Sequence, residues 1–173
     1  MVTVILIAGS SHAGKTLLAQ KLVKRHGFFC LSIDHLKMGL IRSGQTTLTP
    51  LSDDQALTAY LWPIIREMVK TAVENRQDLI VEGCYIPCNW KQDFDERYLP
   101  HIRGLFLIMS ESYLQSRFDR VLAYANVAEQ RVEDDSFTQE SALAENRRLL
   151  QDCLRNGTEH LLIDGDYHVD FLL

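Results

Sequence analysis

Gly9-Ser10-Ser11-His12-Ala13-Gly14-Lys15-Thr16 is the stretch on which the reading of this chain turns. It has the pattern glycine, four residues, Gly-Lys-Thr, and it sits between two runs of different character. Before it lies Val2 to Ala8 (VTVILIA), apolar and rich in β-branched residues, which reads as a strand buried on both faces. After it, Lys15 to His26 carries Leu18, Leu22 and Val23 at helical spacing and stops at Gly27. A glycine-rich turn between strand and helix is the context that gives the pattern its meaning. Glycines let the backbone curl until successive N–H groups face one centre. The helix that follows adds the positive end of its dipole. Such a cradle suits a polyphosphate. Gly9, Ser10, Ser11, His12, Ala13, Gly14, Lys15 and Thr16 are therefore candidate nucleotide-binding residues. Lys15 is expected on the β- and γ-phosphates of ATP, and the Thr16 hydroxyl on Mg²⁺. The His12 side chain is expected to turn outward.

Further along, short apolar runs alternate with longer amphipathic ones. Phe28 to Ile33 (FFCLSI), Asp78 to Val81 (DLIV), Leu105 to Met109 (LFLIM) and His160 to Ile163 (HLLI) read as four more strands. A short helix is expected to start near Asp34, and a loop to span Gly44 to Pro50. Ser52 with Gln55 suggests a capping box for a helix to about Asn75, which Pro63 should kink or split. Trp90 to Tyr98 reads as a weakly patterned helix. Ser110 can cap a helix from Glu111 to Tyr124, with Leu114, Phe118, Val121 and Leu122 inward. Residues 125 to 138 are polar and aperiodic and are expected to be mobile. Gln139 to Asn156 forms a last helix, closed by Gly157. Five strands separated by helices predict one α/β domain over residues 1–173, with a parallel sheet covered on both faces. Ligands then bind beyond the carboxyl ends of the strands.

Composition narrows the function classes. The chain has 173 residues, 46% hydrophobic and 24% charged, with a formal net charge of −5. That balance argues against nucleic acid or an anionic membrane as partner. No apolar stretch reaches the length of a membrane span, and the first apolar run lacks the basic residues of a leader. A cytoplasmic location is expected. Cys30, Cys84, Cys88 and Cys153 do not stand at zinc-site spacing and read as buried reduced thiols.

On the phosphate-loop motif and the order of elements, the chain resembles the nucleoside-monophosphate-kinase branch of P-loop proteins. Within that branch it is similar to shikimate kinase, chloramphenicol phosphotransferase, 2-phosphoglycerate kinase and the zeta toxins. The sharp match covers the loop, and the similarity of element order covers nearly the whole chain. The resemblance implies a P-loop NTPase fold with strand order 2-3-1-4-5 and a lid in the region of about 111–140. It implies ATP and Mg²⁺ as cofactors, and a kinase that moves the γ-phosphoryl group to a small-molecule hydroxyl or phosphate. The Asn-Lys-x-Asp and Asp-x-x-Gly elements of GTPases are missing. A regulatory nucleotide-binding module and a nucleoside-monophosphate kinase remain the alternatives.

Other candidate residues follow from strand ends and helix faces. By the resemblance, Asp34, in Ser32-Ile33-Asp34-His35, stands where those kinases have an acid near the acceptor hydroxyl, and it could also cap the helix starting at His35. Lys37 and Arg42, on the same segment, could bind an anionic acceptor. Glu82 and Gly83 close the third strand: Glu82 could serve Mg²⁺ or the acceptor, and Gly83 could admit a ligand close to the backbone. Tyr85, Ile86 and Trp90 could line an acceptor pocket or simply pack in the core. Arg117 and Arg120, beside the stripe of their helix, could reach the transferred phosphoryl group, and Arg131 is a weaker candidate. Arg147 falls inside an arc made by Leu143, Leu150 and Leu154, where it would need an acid or a ligand. By the same resemblance, the adenine ring would lie against the turn from Asp164 to His168.

Overall fold

All six residues of the first strand, Val4–Gly9 (β1), are buried, and the remaining elements are arranged around it. A computed structural model describes residues 4–124, 137–166 and 169–171. The elements that follow are α1 (Lys15–His26), β2 (Phe29–Ser32), α2 (Ile33–Arg42), α3 (Asp54–Glu74), β3 (Leu79–Glu82), β4 (Ile102–Met109), α4 (Glu111–Tyr124), α5 (Gln139–Asn156) and β5 (His160–Ile163). The five strands form one parallel sheet in the order β2-β3-β1-β4-β5, as the resemblance implied.

Alternation along β1 divides the core. Val4, Leu6 and Ala8 face a cluster with Leu57, Leu61, Ile65 and Val69 of α3. Ile5 and Ile7 face the opposite cluster, with Leu18 and Leu22 of α1 and Leu114 of α4. A central strand buried on both faces reads as a continuous apolar run for this reason. Because all strands are parallel, Gly9, Ser32, Glu82, Met109 and Ile163 all end at one edge of the sheet.

Local expectations were met at several termini. Gly27 and Gly157 close α1 and α5 in left-handed conformations, at φ 73° and 59°. Ser110 caps α4, its hydroxyl accepting the Tyr113 N–H at 3.0 Å. Others shift. The cap of α3 is Asp53, whose carboxylate accepts the N–H groups of Gln55 and Ala56, while the Ser52 hydroxyl accepts the Thr49 N–H. Asp53→Ala should therefore lower stability by about 1 kcal/mol, measurable by chemical denaturation. Pro63 does not split α3. It lies on the exposed face, where water can serve the carbonyl its missing N–H leaves free.

The expected helix from Trp90 to Tyr98 is replaced by short 3₁₀ turns at Trp90–Asp93 and Leu99–His101. Its four-residue aromatic spacing is a core stack: Trp90 to Phe94 at 6.2 Å and Phe94 to Tyr98 at 6.5 Å. Trp90 also fills the space above Gly104, where a Cβ would come within 2.8 Å of its indole nitrogen. Tyr85, Ile86 and Trp90 are all buried; Ile86 and Trp90 pack in the core, while the Tyr85 hydroxyl meets Lys37. Past a kink in α4 at Arg117 (φ −134°, ψ 20°), Val121 stays buried as expected, whereas Leu122 is exposed. The thiol reading is corrected in part: Cys153 is buried and its Sγ lies 3.6 Å from that of half-buried Cys88, but Cys30 and Cys84 are exposed. Arg131 and residues 125–136 of the predicted mobile segment lie outside the described residues.

Candidate nucleotide and acceptor site

The phosphate loop begins with a constraint at Gly9. Its φ is 138°, and a Cβ there would lie 2.2 Å from the Leu107 carbonyl oxygen of β4. Only glycine lets the chain leave β1 this close to its neighbour. The Ser10 N–H donates to that same carbonyl at 3.1 Å, and the loop then turns through His12 and Gly14, both at positive φ, into α1. Gly14 occupies the position before the first helical residue, and Lys15 and Thr16 open the helix. This is a strand, nest and helix N-terminus in sequence, which is the arrangement that holds phosphate.

Lys15 is only 4% exposed, and its ammonium donates to the Ser10 carbonyl at 2.7 Å. The amine is thus held inside the loop, on a neutral acceptor that a phosphate oxygen can replace. The Thr16 hydroxyl donates to Glu82 Oε2 at 3.1 Å. Glu82 ends β3 and is 3% exposed, in register with Ile7 of β1 on one side and Ser32 of β2 on the other. A carboxylate so deeply placed is costly unless a cation or several donors offset it. Thr16 and Glu82 together present hard oxygen donors, the type Mg²⁺ takes when phosphates complete its shell. Among the described residues no group of three His, Cys, Asp or Glu could hold a metal by itself. A site shared with phosphate fits these residues.

Next to Glu82 the register of β2 places Asp34. Helix α2 begins at Ile33 with Ser32 as its cap position, so Asp34 lies inside the first turn and does not cap it as expected. Its Oδ1 accepts from the Lys37 ammonium at 2.6 Å, and Lys37 also donates to the Tyr85 hydroxyl at 3.0 Å with the ring centroid 4.9 Å away. Burial pushes the Lys37 pKa down, but the bonds to Asp34 and Tyr85 outweigh it and the group ends above an ordinary lysine. Lys37 therefore stays charged at neutral pH, with its charge matched by Asp34.

Several candidates fall elsewhere. Arg42 is exposed in the last turn of α2, and at about 100° per residue it lies roughly 140° around the helix from Lys37. Gly83 admits a side chain instead of a ligand: a Cβ there would lie 2.8 Å from Ile33 Cβ. Arg117 pairs with Asp166 at 2.9 Å, and its hydrogen bond, with its charge, holds that carboxyl below the usual range. Arg120, exposed, adds a smaller effect on the same acid. Both arginines are thus drawn to the turn after β5, where the hydroxyls of Ser112 and Ser110 also hold Asp164 below the usual carboxylate range.

Arg147 is corrected in its placement, although it does find an acid. It is exposed and pairs with Glu111 at 3.1 Å. The buried face of α5 is Ala142, Asn146 and Cys153, one position before the predicted arc, and Leu154 is 64% exposed. That shift brings forward two residues the sequence did not single out. Asn146 Oδ1 accepts from the Ser10 hydroxyl and the Met109 N–H, both at 2.7 Å, and Glu145 Oε1 accepts the Ser11 N–H at 2.8 Å. Nor does His12 turn outward: its ring packs 4.2 Å from that of Phe137. The spacing Ala142, Asn146, Cys153 was the available signal, but it is polar at its centre and has no leucine where its rival has three. A cavity of about 640 Å³ lined by Phe29, Leu31, Ile64 and Met68 lies near the amino ends of β2 and β3, away from the phosphate loop.

Comparison with known proteins agrees with this geometry. A profile of the AAA domain family matches residues 4–96, which include the phosphate loop, Asp34 and Glu82. No curated protein matches the sequence. Among solved structures, one from Chloroflexus aurantiacus, provisionally assigned as a kinase, superposes with a TM-score of 0.55 at 18% identity, covering 84% of this chain and 79% of that one. Deoxyadenosine kinase from M. mycoides gives 0.53 at 14% identity, covering 94% and 90%. Shikimate kinase from Acinetobacter baumannii gives 0.50 at 14%, covering 97% and 86%. These likenesses establish the α/β P-loop NTPase fold.

Proposed function

The chain belongs to the AAA domain family, and from that premise we propose that it is an ATP- and Mg²⁺-dependent kinase acting on an uncharged hydroxyl compound. The observation that carries the reading is the adjacency of three strand ends. Lys15 and Thr16 follow β1, Glu82 ends β3, and Asp34 follows β2. Phosphoryl transfer needs mainly positioning and charge stabilisation, and these groups supply both. The loop amides and Lys15 hold the polyphosphate. Thr16 and Glu82 would hold Mg²⁺, which when bound offsets charge on the phosphate oxygens. Asp34 orients the acceptor hydroxyl and can take its proton. Lys37, itself bonded to the Tyr85 hydroxyl, holds the Asp34 carboxylate in place.

Charge favours a neutral acceptor. Asp34 and Glu82 contribute two negative charges, and Lys37 one positive charge already matched by Asp34. Lys15 serves the polyphosphate inside the loop, and the other basic candidates among the described residues are directed elsewhere: Arg42 by its helix face, Arg117 and Arg120 toward Asp166, and Arg147 by Glu111. A phosphate-bearing acceptor would find no cation on the acceptor side that is not already matched by an acid. No described helix is long and apolar enough to cross a membrane, and we place the reaction in the cytoplasm, where ATP is supplied.

The test is ADP release from Mg·ATP against panels of neutral polyols, amino alcohols and nucleoside monophosphates. Acceptor-dependent release with a neutral hydroxyl compound is the expected result. Turnover with monophosphates alone would replace the acceptor class, and tight ATP binding with no turnover would favour a regulatory module. With an acceptor in hand, Asp34→Asn should lower kcat about 100-fold while leaving ATP affinity unchanged. Full turnover in that variant would remove Asp34 from the mechanism.

A further inference from the structure

Two adjacent side chains of α5 reach the phosphate loop from far along the chain. Asn146, 3% exposed, is held by three hydrogen bonds: Oδ1 accepts from the Ser10 hydroxyl and the Met109 N–H, and Nδ2 donates to the Ala142 carbonyl at 2.8 Å. Every polar atom of its amide is used, which fixes its orientation. Ser10, fully buried, is the residue whose carbonyl accepts the Lys15 ammonium and the Ala13 N–H. One residue earlier on α5, Glu145 Oε1 accepts both the N–H of Ser11 at 2.8 Å and its hydroxyl at 3.2 Å. His12 then packs on Phe137, just before the Thr138 cap of the same helix. Three consecutive loop residues are thus fixed by one helix and its entry.

We propose that Asn146 and Glu145 are positioning residues for nucleotide binding, resting on the kinase reading above. Asn146 acts through the Ser10 hydroxyl on the carbonyl that carries Lys15, and Glu145 acts through the Ser11 amide on the path of the loop. Neither touches nucleotide. A phosphate cradle depends on several amides converging at once, so a loop free to rotate its peptide planes loses affinity before it loses fold. The Asn146 arm is buried and neutral. The Glu145 arm is a charge-assisted bond at the half-buried rim, so its loss should change binding more than stability.

The experiment measures Mg·ADP and Mg·ATP affinity by calorimetry, together with thermal midpoints, for the full chain and its variants. Glu145→Ala is expected to weaken both nucleotides by about 10-fold with little change in midpoint, whereas Glu145→Gln, which keeps a carbonyl acceptor, recovers to within about 3-fold. Ser10→Ala, a mild truncation, should weaken binding by about 3- to 10-fold. Asn146→Ala should do the same, and the Ser10→Ala/Asn146→Ala double variant should lose no more than the worse single change. Variants that all bind within twofold of the parent, or Ser10 and Asn146 effects that simply add, would overturn the proposal. A parent chain that binds no nucleotide overturns the kinase reading and this inference with it, so the two failures are distinct.

Discussion

Lys15→Ala is expected to reduce phosphoryl transfer by about 100- to 1,000-fold, the scale seen when one preorganised charge donor is removed from a transition state. The protein should remain folded. Lys15 donates to the Ser10 carbonyl, and that carbonyl keeps the Ala13 N–H when the amine is gone. No buried acid is left behind by the change, since the partner of the ammonium is neutral. The loss should appear in kcat more than in protein yield or thermal midpoint. A variant that transfers phosphate at the parent rate, with an identified acceptor, would show that the loop is not where the chemistry occurs.

Gly9→Ala should be the most damaging single substitution for stability. The added Cβ would lie 2.2 Å from the Leu107 carbonyl oxygen, 2.7 Å from its nitrogen and 2.9 Å from its carbonyl carbon. These are backbone atoms of the neighbouring strand, paired in register with Gly9, and they cannot rotate away as a side chain could. The φ of 138° adds strain for any residue with a Cβ. Overpacking and strain together should cost roughly 3 to 5 kcal/mol. For a chain of this size that is a fall of roughly 10 °C or more in thermal midpoint. Gly44→Ala is the control. Gly44 also has a positive φ, at 73°, but nothing lies within 4 Å of its added Cβ. It should cost about 1 kcal/mol. Equal midpoints for the two variants would show that the β1–β4 contact is looser than drawn.

The way the sequence misread α5 shows where pattern reading fails. Leu143, Leu150 and Leu154 outweigh Ala142, Asn146 and Cys153 on any hydrophobic scale, yet the second set is the buried one, with Leu143 and Leu150 at its margin and Leu154 exposed. The small residues allow α5 to approach β4, and Asn146 meets the loop at a hydroxyl 136 positions away. No local spacing encodes such a partner. The same applies to Arg117 and Arg147, whose acids stand 49 and 36 positions off. An arginine beside an apolar stripe announces that it needs an acid, but not which one. Gly83 failed differently: its openness was read correctly, and the occupant turned out to be Ile33.

What the sequence determined by itself is local or periodic. A glycine pattern forces one backbone path, β-branched runs make buried strands, and their alternation with helices selects a parallel sheet, whose order followed from the resemblance to P-loop kinases. The loop, Lys15, Thr16 and the strand-end acids Asp34 and Glu82 were legible because each stands at a fixed offset from such an element. Only the tertiary structure decided which cations meet which acids, which face of α5 is buried, and that Asn146 and Glu145 hold the loop. Those outcomes depend on how helices settle on the sheet, where a shift of one residue turns a helix by about 100° and exchanges every neighbour it has.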